Sequence, residues 1–370
     1  MLADSILKHS SILITGGTGS FGKAFIDYAL KNLDPERLII LSRDELKQYE
    51  LRKMFNDDPR LRYFLGDIRD TRRLARAFHG VDYVVHAAAL KQVDTAEYNP
   101  FEFIQTNILG SQNVIDASID AGVKRVVALS TDKASSPLNL YGATKLAADK
   151  LFQSANHAAA GYVTRFSVVR YGNVMGSRGS IVPVFRELAA KGESLPITDE
   201  RMTRFWITLP EAVKFVVDSF DRMTGGELFV PKIPSMKIPD LVEACAPGSK
   251  THEIGIRPGE KLHEEMISED DSRRTLDQAR AELGMIGPRR AHRQQGRRDP
   301  PPLAQQHVIG PAGGGRGHDS RYVLATHQAL RLASANSCAN FPAHAASCVC
   351  HAFAQSRGRF ACGTNVVGAC

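Results

Sequence analysis

The chain has 370 residues, 43% of them hydrophobic, and a formal net charge of +7 at pH 7. This length is enough for one large domain or two ordinary domains with a full core. No apolar run reaches membrane-spanning length, and the N-terminus lacks the apolar core of a signal peptide. The sequence therefore predicts a soluble, cytoplasmic protein with no membrane partner.

The excess positive charge lies in the last quarter of the chain. From Asp277 to Cys370 there are 11 Arg, no Lys and four acidic residues, whereas Met1 to Leu276 has 36 basic and 36 acidic residues. The net charge therefore gives no reason to expect a nucleic-acid partner for the larger, preceding part.

A glycine-rich loop follows the first predicted strand. The strand covers residues 11–14, the loop Thr-Gly-Gly-Thr-Gly-Ser-Phe-Gly covers residues 15–22, and a helix is predicted for residues 23–33. A Gly-x-Gly-x-x-Gly pattern between a strand and a helix lets the backbone approach a pyrophosphate at the helix N-terminus, although a glycine-rich turn without a ligand is the alternative. The candidate cofactor-binding residues of this loop are Gly16, Thr18, Gly19, Ser20, Phe21 and Gly22.

The end of the second predicted strand, residues 37–41, indicates which cofactor binds. An acidic residue there would hold the ribose of NAD, but the position carries Ser42 and Arg43, with Lys47 one turn later. A guanidinium suits a 2′-phosphate, so NADP is favoured, although the acidic residues 44 and 45 follow at once.

The next elements alternate between strand and helix. Strands are predicted for residues 61–65, 81–85 and 166–171, and helices for residues 71–78 and 107–121. This order is typical of an α/β fold with a doubly wound parallel Rossmann sheet. The polar and small residues that follow these strands complete the candidate cofactor site: Asp67 and Ile68 near the adenine, and Ala87 and Lys91 along the cofactor.

A catalytic segment follows the strand predicted for residues 125–129. The strand ends in Thr131, Asp132 and Lys133, at the edge where ligands bind in open α/β sheets. Tyr141 and Lys145 are spaced i, i+4, so they share one face of a helix. A cationic lysine there is expected to lower the pKa of the tyrosine, which would then act as a base near neutrality.

A smaller substrate domain, partly interleaved with the sheet, is predicted after Val174. Helices are expected up to Ala190, beginning near Pro183, and over residues 209–222. The predicted boundaries are 1–174 for the NADP-binding domain, 175–277 for a substrate domain that lacks its closing segment, and 278–370 for an aberrant, disordered basic tail. Three cations suit a diphosphate or uracil nucleotide, with ordinary solvated surface charge as the alternative: Arg204, Arg257 and Lys261.

The tail has a composition unlike the rest of the chain. It loses lysine and gains Cys and His, as translation in a shifted reading frame would, and a basic interaction tail is the functional alternative. Cys348, Cys350 and His351 lack the paired Cys-x-x-Cys spacing of a structural zinc site, so no metal is expected.

Seven motifs in a fixed order resemble the extended short-chain dehydrogenase/reductases, over residues 11–276. They are the glycine loop, Ser-Arg-Asp-Glu-Leu-Lys from residue 42, His-Ala-Ala-Ala-Leu-Lys from 86, Ser-Thr-Asp-Lys-Ala from 130, Tyr-Gly-Ala-Thr-Lys from 141, Arg-Tyr-Gly-Asn-Val from 170 and Arg-Pro-Gly-Glu-Lys-Leu-His-Glu from 257. Within that family, the motifs are most similar to the inverting UDP-N-acetylglucosamine 4,6-dehydratases of pseudaminic acid biosynthesis. The start of the chain, close to its glycine loop, resembles the short soluble form, and the family's habit suggests a homo-oligomer.

The resemblance implies a role for each catalytic candidate. Tyr141, helped by Lys145, would take the C4 hydroxyl proton while Thr131 binds the same oxygen. Lys133 would remove the C5 proton, and Asp132 would protonate the departing C6 hydroxyl. Retaining relatives have Asp-Glu where this chain has Asp-Lys. The resemblance also implies that UDP-N-acetylglucosamine is the substrate and that Lys91 and Asn173 join the substrate site.

A lysine base requires a lowered pKa, for which Lys91 and Lys145 are the expected neighbours. The alternative for Lys133 is a purely structural role, as a salt bridge to Asp132 or Asp149. For the whole protein, the alternatives are a UDP-sugar 4-epimerase, which uses the same Tyr and Lys, and a catalytically silent NADP-binding protein whose substrate half is spoiled by the tail.

Overall fold

The computed structural model describes residues 5–177 and 179–277, together with the backbone of residues 305 and 306. All of them belong to one compact unit of the chain. Apart from those two backbone positions, the predicted tail, its cysteines included, lies outside the described residues, and the predicted domain boundaries stay a prediction.

A nine-stranded sheet, in which every pair of neighbours is parallel, organises the described chain. Its strands are β1 (Ser11–Thr15), β2 (Arg37–Ser42), β3 (Leu61–Leu65), β4 (Tyr83–His86), β5 (Arg125–Thr131), β6 (Arg165–Tyr171), β10 (Leu228–Phe229), β13 (Thr275–Leu276) and β14 (Gln305–Gln306). Their spatial order is β13-β14-β10-β6-β5-β4-β1-β2-β3. The predicted doubly wound parallel fold is confirmed, with the order 3-2-1-4-5-6 that creates a ligand crevice beside β1 and β4.

The α-helices are α1 (Ser20–Asn32), α2 (Glu45–Met54), α3 (Thr71–Ala77), α4 (Val93–Tyr98), α5 (Pro100–Phe103), α6 (Gly110–Asp120), α7 (Leu140–Ala158), α8 (Ile181–Ala190), α9 (Leu209–Arg222), α10 (Ile238–Cys245) and α11 (Glu269–Ser272). Helices α1, α2 and α9 place Phe25, Leu51 and Val213 in one buried cluster. Helices α3 and α6 place Leu74 and Val114 in a second cluster. Alternating apolar strands thus fill a core on each face of the sheet.

The helix predicted for residues 107–121 begins differently in the structure. A π-helical turn, Ile104–Leu109, precedes α6. It places the Asn107 amide inward, where Oδ1 accepts from the backbone N of Leu90 at 2.8 Å and Nδ2 donates to the Leu90 carbonyl at 2.9 Å. Apolar periodicity detects the helix but not this wider turn, because the turn is set by hydrogen bonds to a distant loop.

The segment after β6 forms smaller sheets and a separate cluster. Strands β7 (Asn173–Val174), β9 (Thr203–Ile207) and β11 (Ser235–Lys237) form one sheet, and β8 (Leu195–Ile197) and β12 (Thr251–Glu253) form another. The apolar cluster beside them is Phe185, Leu195, Ile197, Met202, Ile238, Val242 and Ala246. Within residues 5–177 and 179–277, no helix has the length and apolar character needed to cross a bilayer.

Candidate active site

The glycine loop packs tightly against its own backbone and against residue 88, which requires glycine at its closest approaches. Gly16 has φ +68°, and a Cβ there would lie 2.9 Å from the Ala88 Cα. A Cβ on Gly22 would lie 2.2 Å from the Gly17 carbonyl oxygen. The helix α1 begins after Gly19 and has no acidic residue in its first turn. Its amide groups therefore suit a pyrophosphate, as the sequence predicts.

A buried histidine connects the start of this loop to neighbouring elements through hydrogen bonds. His86 Nδ1 lies 2.8 Å from the Thr15 hydroxyl, and Nε2 lies 3.2 Å from the Ser111 hydroxyl. Burial, with a smaller effect of Lys145, lowers the pKa of His86 to about 3. A neutral imidazole therefore joins β1, β4 and α6, and Ala87 follows it at the loop, where its N donates to the Thr15 carbonyl at 3.2 Å.

The residues predicted to bind the 2′-phosphate of NADP differ in whether their polar groups are free to bind it. Ser42 is buried, and its hydroxyl accepts a hydrogen bond from Gln48 at 2.9 Å. The Lys47 ammonium is paired with Asp44. Arg43 is exposed, and its guanidinium lies 3.6 Å from an Asp67 carboxylate oxygen. Arg43 is thus the predicted residue whose charged group is most accessible at this edge.

The remaining residues that were predicted to bind the cofactor differ in their exposure. Thr18 and Ser20 are half-buried, and Phe21 packs on Phe25 with ring centroids 6.2 Å apart. Ile68 is buried in a core cluster below the β3 edge. Lys91 is exposed beyond β4.

The first catalytic candidates lie at the end of strand β5 and in the turn that follows it, as predicted. It ends at Thr131, and a short 3₁₀ turn, Asp132–Ala134, follows. The Thr131 hydroxyl donates to Asp132 Oδ1 at 2.9 Å, and Lys133 Nζ donates to the same oxygen at 3.1 Å. Asp132 is fully buried, and its Oδ2 has no hydrogen-bond partner among the described residues. When it is protonated, a buried carboxyl group with a free oxygen can act as an acid.

Tyr141 and Lys145 lie on α7, and both are buried. Lys145 Nζ donates to the Leu129 carbonyl oxygen at 2.7 Å. The expected low pKa of Tyr141 is wrong: burial raises the pKa of Tyr141 to about 12, against opposing effects of Lys133 and of a hydrogen bond with Thr131. The lysine that favours the phenolate is therefore Lys133, because Lys145 points at the strand.

Lys133 contacts three acceptors from different parts of the chain. Besides Asp132, its Nζ lies 3.4 Å from Asn173 Oδ1 and 3.5 Å from Glu264 Oε1. The expected lowering of its pKa is also wrong. Desolvation lowers the pKa of Lys133, but the charges of Asp132 and Glu264 outweigh it, so the pKa is raised. The salt bridge to Asp132, which the sequence offered as the structural alternative for Lys133, is present.

The other expected partner, Asp149, belongs to a different ion pair. Its Oδ2 accepts from the Ser130 hydroxyl at 2.8 Å and from Arg170 at 3.2 Å. Arg170 is 1% exposed and also donates to the Met266 carbonyl at 3.2 Å and to Asp271 Oδ2 at 3.3 Å. This pair, which sequence reasoning missed, fixes β5, β6 and α7 to a late segment of the chain.

The predicted substrate residues separate into three groups. Asn173 and Lys261 lie near Lys133; Lys261 Nζ donates to the Ser135 carbonyl at 2.6 Å. Arg204 is buried and donates to the backbone carbonyls of residues 203 and 262 at 2.8 and 3.3 Å. Arg257 is exposed, with its guanidinium 3.5 Å from Asp94 and 3.3 Å from Glu260.

Glu264 is the functional candidate that sequence reasoning did not single out. It is the last residue of the motif that begins at Arg257, and it is spaced i, i+3 from Lys261, whose Nζ lies 3.9 Å from Glu264 Oε2. That spacing was the available signal. Among residues 5–177 and 179–277, no group of three or more metal-binding side chains is found.

Known proteins resemble this chain in sequence and in fold. The inverting UDP-N-acetylglucosamine 4,6-dehydratase of Campylobacter jejuni is 61% identical over 273 residues, 74% of this chain and 81% of that protein. The solved structure of Pen from Bacillus thuringiensis is 41% identical, with a TM-score of 0.70 over 73% of this chain and 87% of its own. The dTDP-glucose 4,6-dehydratase DesIV from Streptomyces venezuelae, solved with NAD bound, is 26% identical, with a TM-score of 0.62 over 71% of this chain and 90% of its own.

The fold and order of motifs confirm the resemblance to the extended short-chain dehydrogenase/reductases. Residues 12–283 match the family described as "Polysaccharide biosynthesis protein". This match includes the glycine loop, the end of β5 and the Lys133 acceptors Asn173 and Glu264. The chain therefore belongs to the polysaccharide biosynthesis protein family.

Proposed function

We propose that the protein is an NADP-dependent UDP-N-acetylglucosamine 4,6-dehydratase that inverts C5 and forms a UDP-4-keto-6-deoxy-L-sugar for pseudaminic acid-type biosynthesis. The observation that carries this proposal is the Asp132-Lys133 pair at the end of β5, beside Tyr141. The 61% identity to the Campylobacter jejuni enzyme supports the same substrate.

The first step needs removal of a hydroxyl proton at C4. Tyr141 is the base for that proton, and Thr131 holds the same oxygen as it becomes a ketone. Burial raises the pKa of Tyr141, and the positive charge of Lys133 and the hydrogen bond with Thr131 oppose this rise and favour the phenolate. A bound nicotinamide dinucleotide would supply the hydride acceptor at C4 and the hydride donor at C6.

The second step is elimination of water across C5 and C6. The C4 ketone acidifies the C5 proton, which the neutral amine of Lys133 removes. Asp132 donates a proton to the departing C6 hydroxyl; its buried Oδ2 has no partner among the described residues. A solvent-derived proton added to C5 from the opposite face replaces the one that Lys133 removed and so inverts that centre.

The residues present fit a dinucleotide. The helix N-terminus that follows the glycine loop, with no acidic residue in the first turn of α1, suits a pyrophosphate, and the exposed Arg43 suits a 2′-phosphate. These features support NADP over NAD.

Replacing Arg43 with alanine should weaken NADP binding by roughly 10- to 100-fold and NAD binding far less, since only NADP carries the phosphate that the guanidinium would bind. Calorimetric titration of both cofactors measures the difference. Arg76→Ala, on the exposed surface of α3, is the control for removing a positive charge. Equal losses for both cofactors in Arg43→Ala would count against NADP selection by this residue.

The proposed reaction is tested by incubating the purified protein with UDP-N-acetylglucosamine and NADP and identifying the product by NMR. A 4-keto-6-deoxy sugar with inverted C5 is expected. UDP-N-acetylgalactosamine as the product would identify a 4-epimerase instead. Cofactor binding without turnover would identify the silent NADP-binding alternative.

We further propose that the enzyme works in the cytoplasm as a homo-oligomer, on the strength of the family resemblance. Size-exclusion chromatography with light scattering tests the assembly.

A further inference from the structure

The environment of Lys133 presents a chemical problem. A lysine that removes the C5 proton must first be a neutral amine, yet its Nζ lies within 3.5 Å of two carboxylates, Asp132 and Glu264. Its side chain is only 22% exposed, so bulk water has little access to its proton. A neighbouring group must therefore hold that proton while the amine acts.

Asp132 is poorly suited to hold it. In the proposed reaction, Asp132 already carries the proton that it gives to the C6 hydroxyl, so it cannot also accept the proton of Lys133. Its Oδ1 already accepts hydrogen bonds from the Thr131 hydroxyl at 2.9 Å and from Lys133 at 3.1 Å. A different acceptor would leave this carboxyl free for the elimination.

Glu264 meets the requirements for that acceptor. Its side chain is 4% exposed, and its Oε1 lies 3.5 Å from Lys133 Nζ. Its Oε2 is buried and makes no hydrogen bond to any described residue. The Lys261 ammonium lies 3.9 Å from that oxygen, beyond hydrogen-bonding distance, and is committed to the Ser135 carbonyl. The remaining ionisable group near Lys133 is the Tyr141 hydroxyl, which has its own role at C4.

We propose that Glu264 is a positioning residue that takes the proton of Lys133 and so prepares the amine to act at C5. The N–H bond of the ammonium breaks and an O–H bond forms on Glu264, giving a neutral amine and a neutral acid. The amine then takes the C5 proton and becomes an ammonium again. A bound sugar nucleotide that excludes water would favour the neutral pair over two buried charges. This inference rests on the proposed function.

Glu264→Gln keeps the shape of the side chain but cannot accept the proton. At neutral pH, its formation of the 4-keto-6-deoxy product and its incorporation of solvent deuterium at C5 should fall by about 10²-fold. The deficit should shrink as pH rises, because hydroxide can then remove the lysine proton. Oxidation at C4, followed by nicotinamide absorbance in a single turnover, should stay near the wild-type rate. Glu265→Gln, an exposed carboxylate on the same segment, is the matched control and should behave as wild type.

A structural role for Glu264 predicts different results. A deficit in Glu264→Gln that is equal at every pH, or wild-type turnover, would overturn the proposal. Glu264→Ala provides an independent test, since added formate should restore its elimination step; failure of formate to do so in a folded variant also counts against the relay. If the wild-type protein makes no 4-keto-6-deoxy sugar, the proposed function fails, whereas a wild-type enzyme whose Glu264→Gln variant matches it refutes only this inference.

Discussion

Replacing Lys133 with alanine should abolish formation of the 4-keto-6-deoxy sugar while leaving oxidation at C4 measurable. Loss of a general base typically costs on the order of 10² to 10⁴ in rate. Tyr141 and Thr131 remain to handle the C4 hydroxyl, although the pKa of Tyr141 should rise further without the lysine charge. The expected signature is nicotinamide reduction in a single turnover, with no solvent deuterium incorporated at C5.

Lys150→Ala is the matched control, because Lys150 lies on α7 but is exposed. It should retain wild-type turnover. A Lys133→Ala variant with near-normal turnover would overturn the role of Lys133 as base. The companion variant Lys133→Glu asks what sets the stereochemistry: elimination with retained C5 configuration would assign that choice to the lysine, and persistent inversion would assign it elsewhere.

Replacing Arg170 with alanine should lower the free energy of unfolding by about 3–5 kcal/mol, the usual cost of removing one partner from a buried ion pair. Arg170 is 1% exposed, and its loss would leave the Asp149 carboxylate, itself 3% exposed, without a counter-charge at 3.2 Å. The Asp271 carboxylate at 3.3 Å would lose its partner as well. Urea denaturation followed by circular dichroism measures the change.

Arg165→Ala is the control for this experiment. Arg165 begins the same strand but is exposed and donates to the backbone carbonyls of Tyr162 and Thr164. We expect its effect to be no more than about 1 kcal/mol. If Arg170→Ala and Arg165→Ala unfold at similar urea concentrations, the buried pair contributes no special stability.

The parts of the site that are local in sequence could be predicted from it. A strand end fixes where Thr131, Asp132 and Lys133 lie, and the i, i+4 spacing fixes Tyr141 and Lys145 on one helix. The glycine loop is similarly local, since a strand, a turn and a helix follow one another without interruption. All of these residues lie where the sequence predicts them.

The parts that depend on distant contacts could not be predicted. Glu264 meets Lys133 only because the chain returns to β5 after forming two further sheets. The pKa of Lys133 is the balance of burial against two carboxylates, one of which comes from that returning segment. Spacing along a chain reveals neighbours on one helix or strand. It does not reveal which charged side chains the folded chain places around the Lys133 amine, so the pKa of Lys133 could not be predicted.

The returning segment also orders events during synthesis. The ribosome releases the glycine loop, Lys133 and Tyr141 long before Glu264 and Asp271, and N-terminal parts of a chain generally begin to fold first. A nascent chain can therefore assemble the dinucleotide half while Arg170 still lacks Asp271 and Lys133 still lacks Glu264. On the proposed mechanism, the residues that assist elimination are made late, so an unfinished chain would complete its cofactor site before it completes the site for the sugar chemistry.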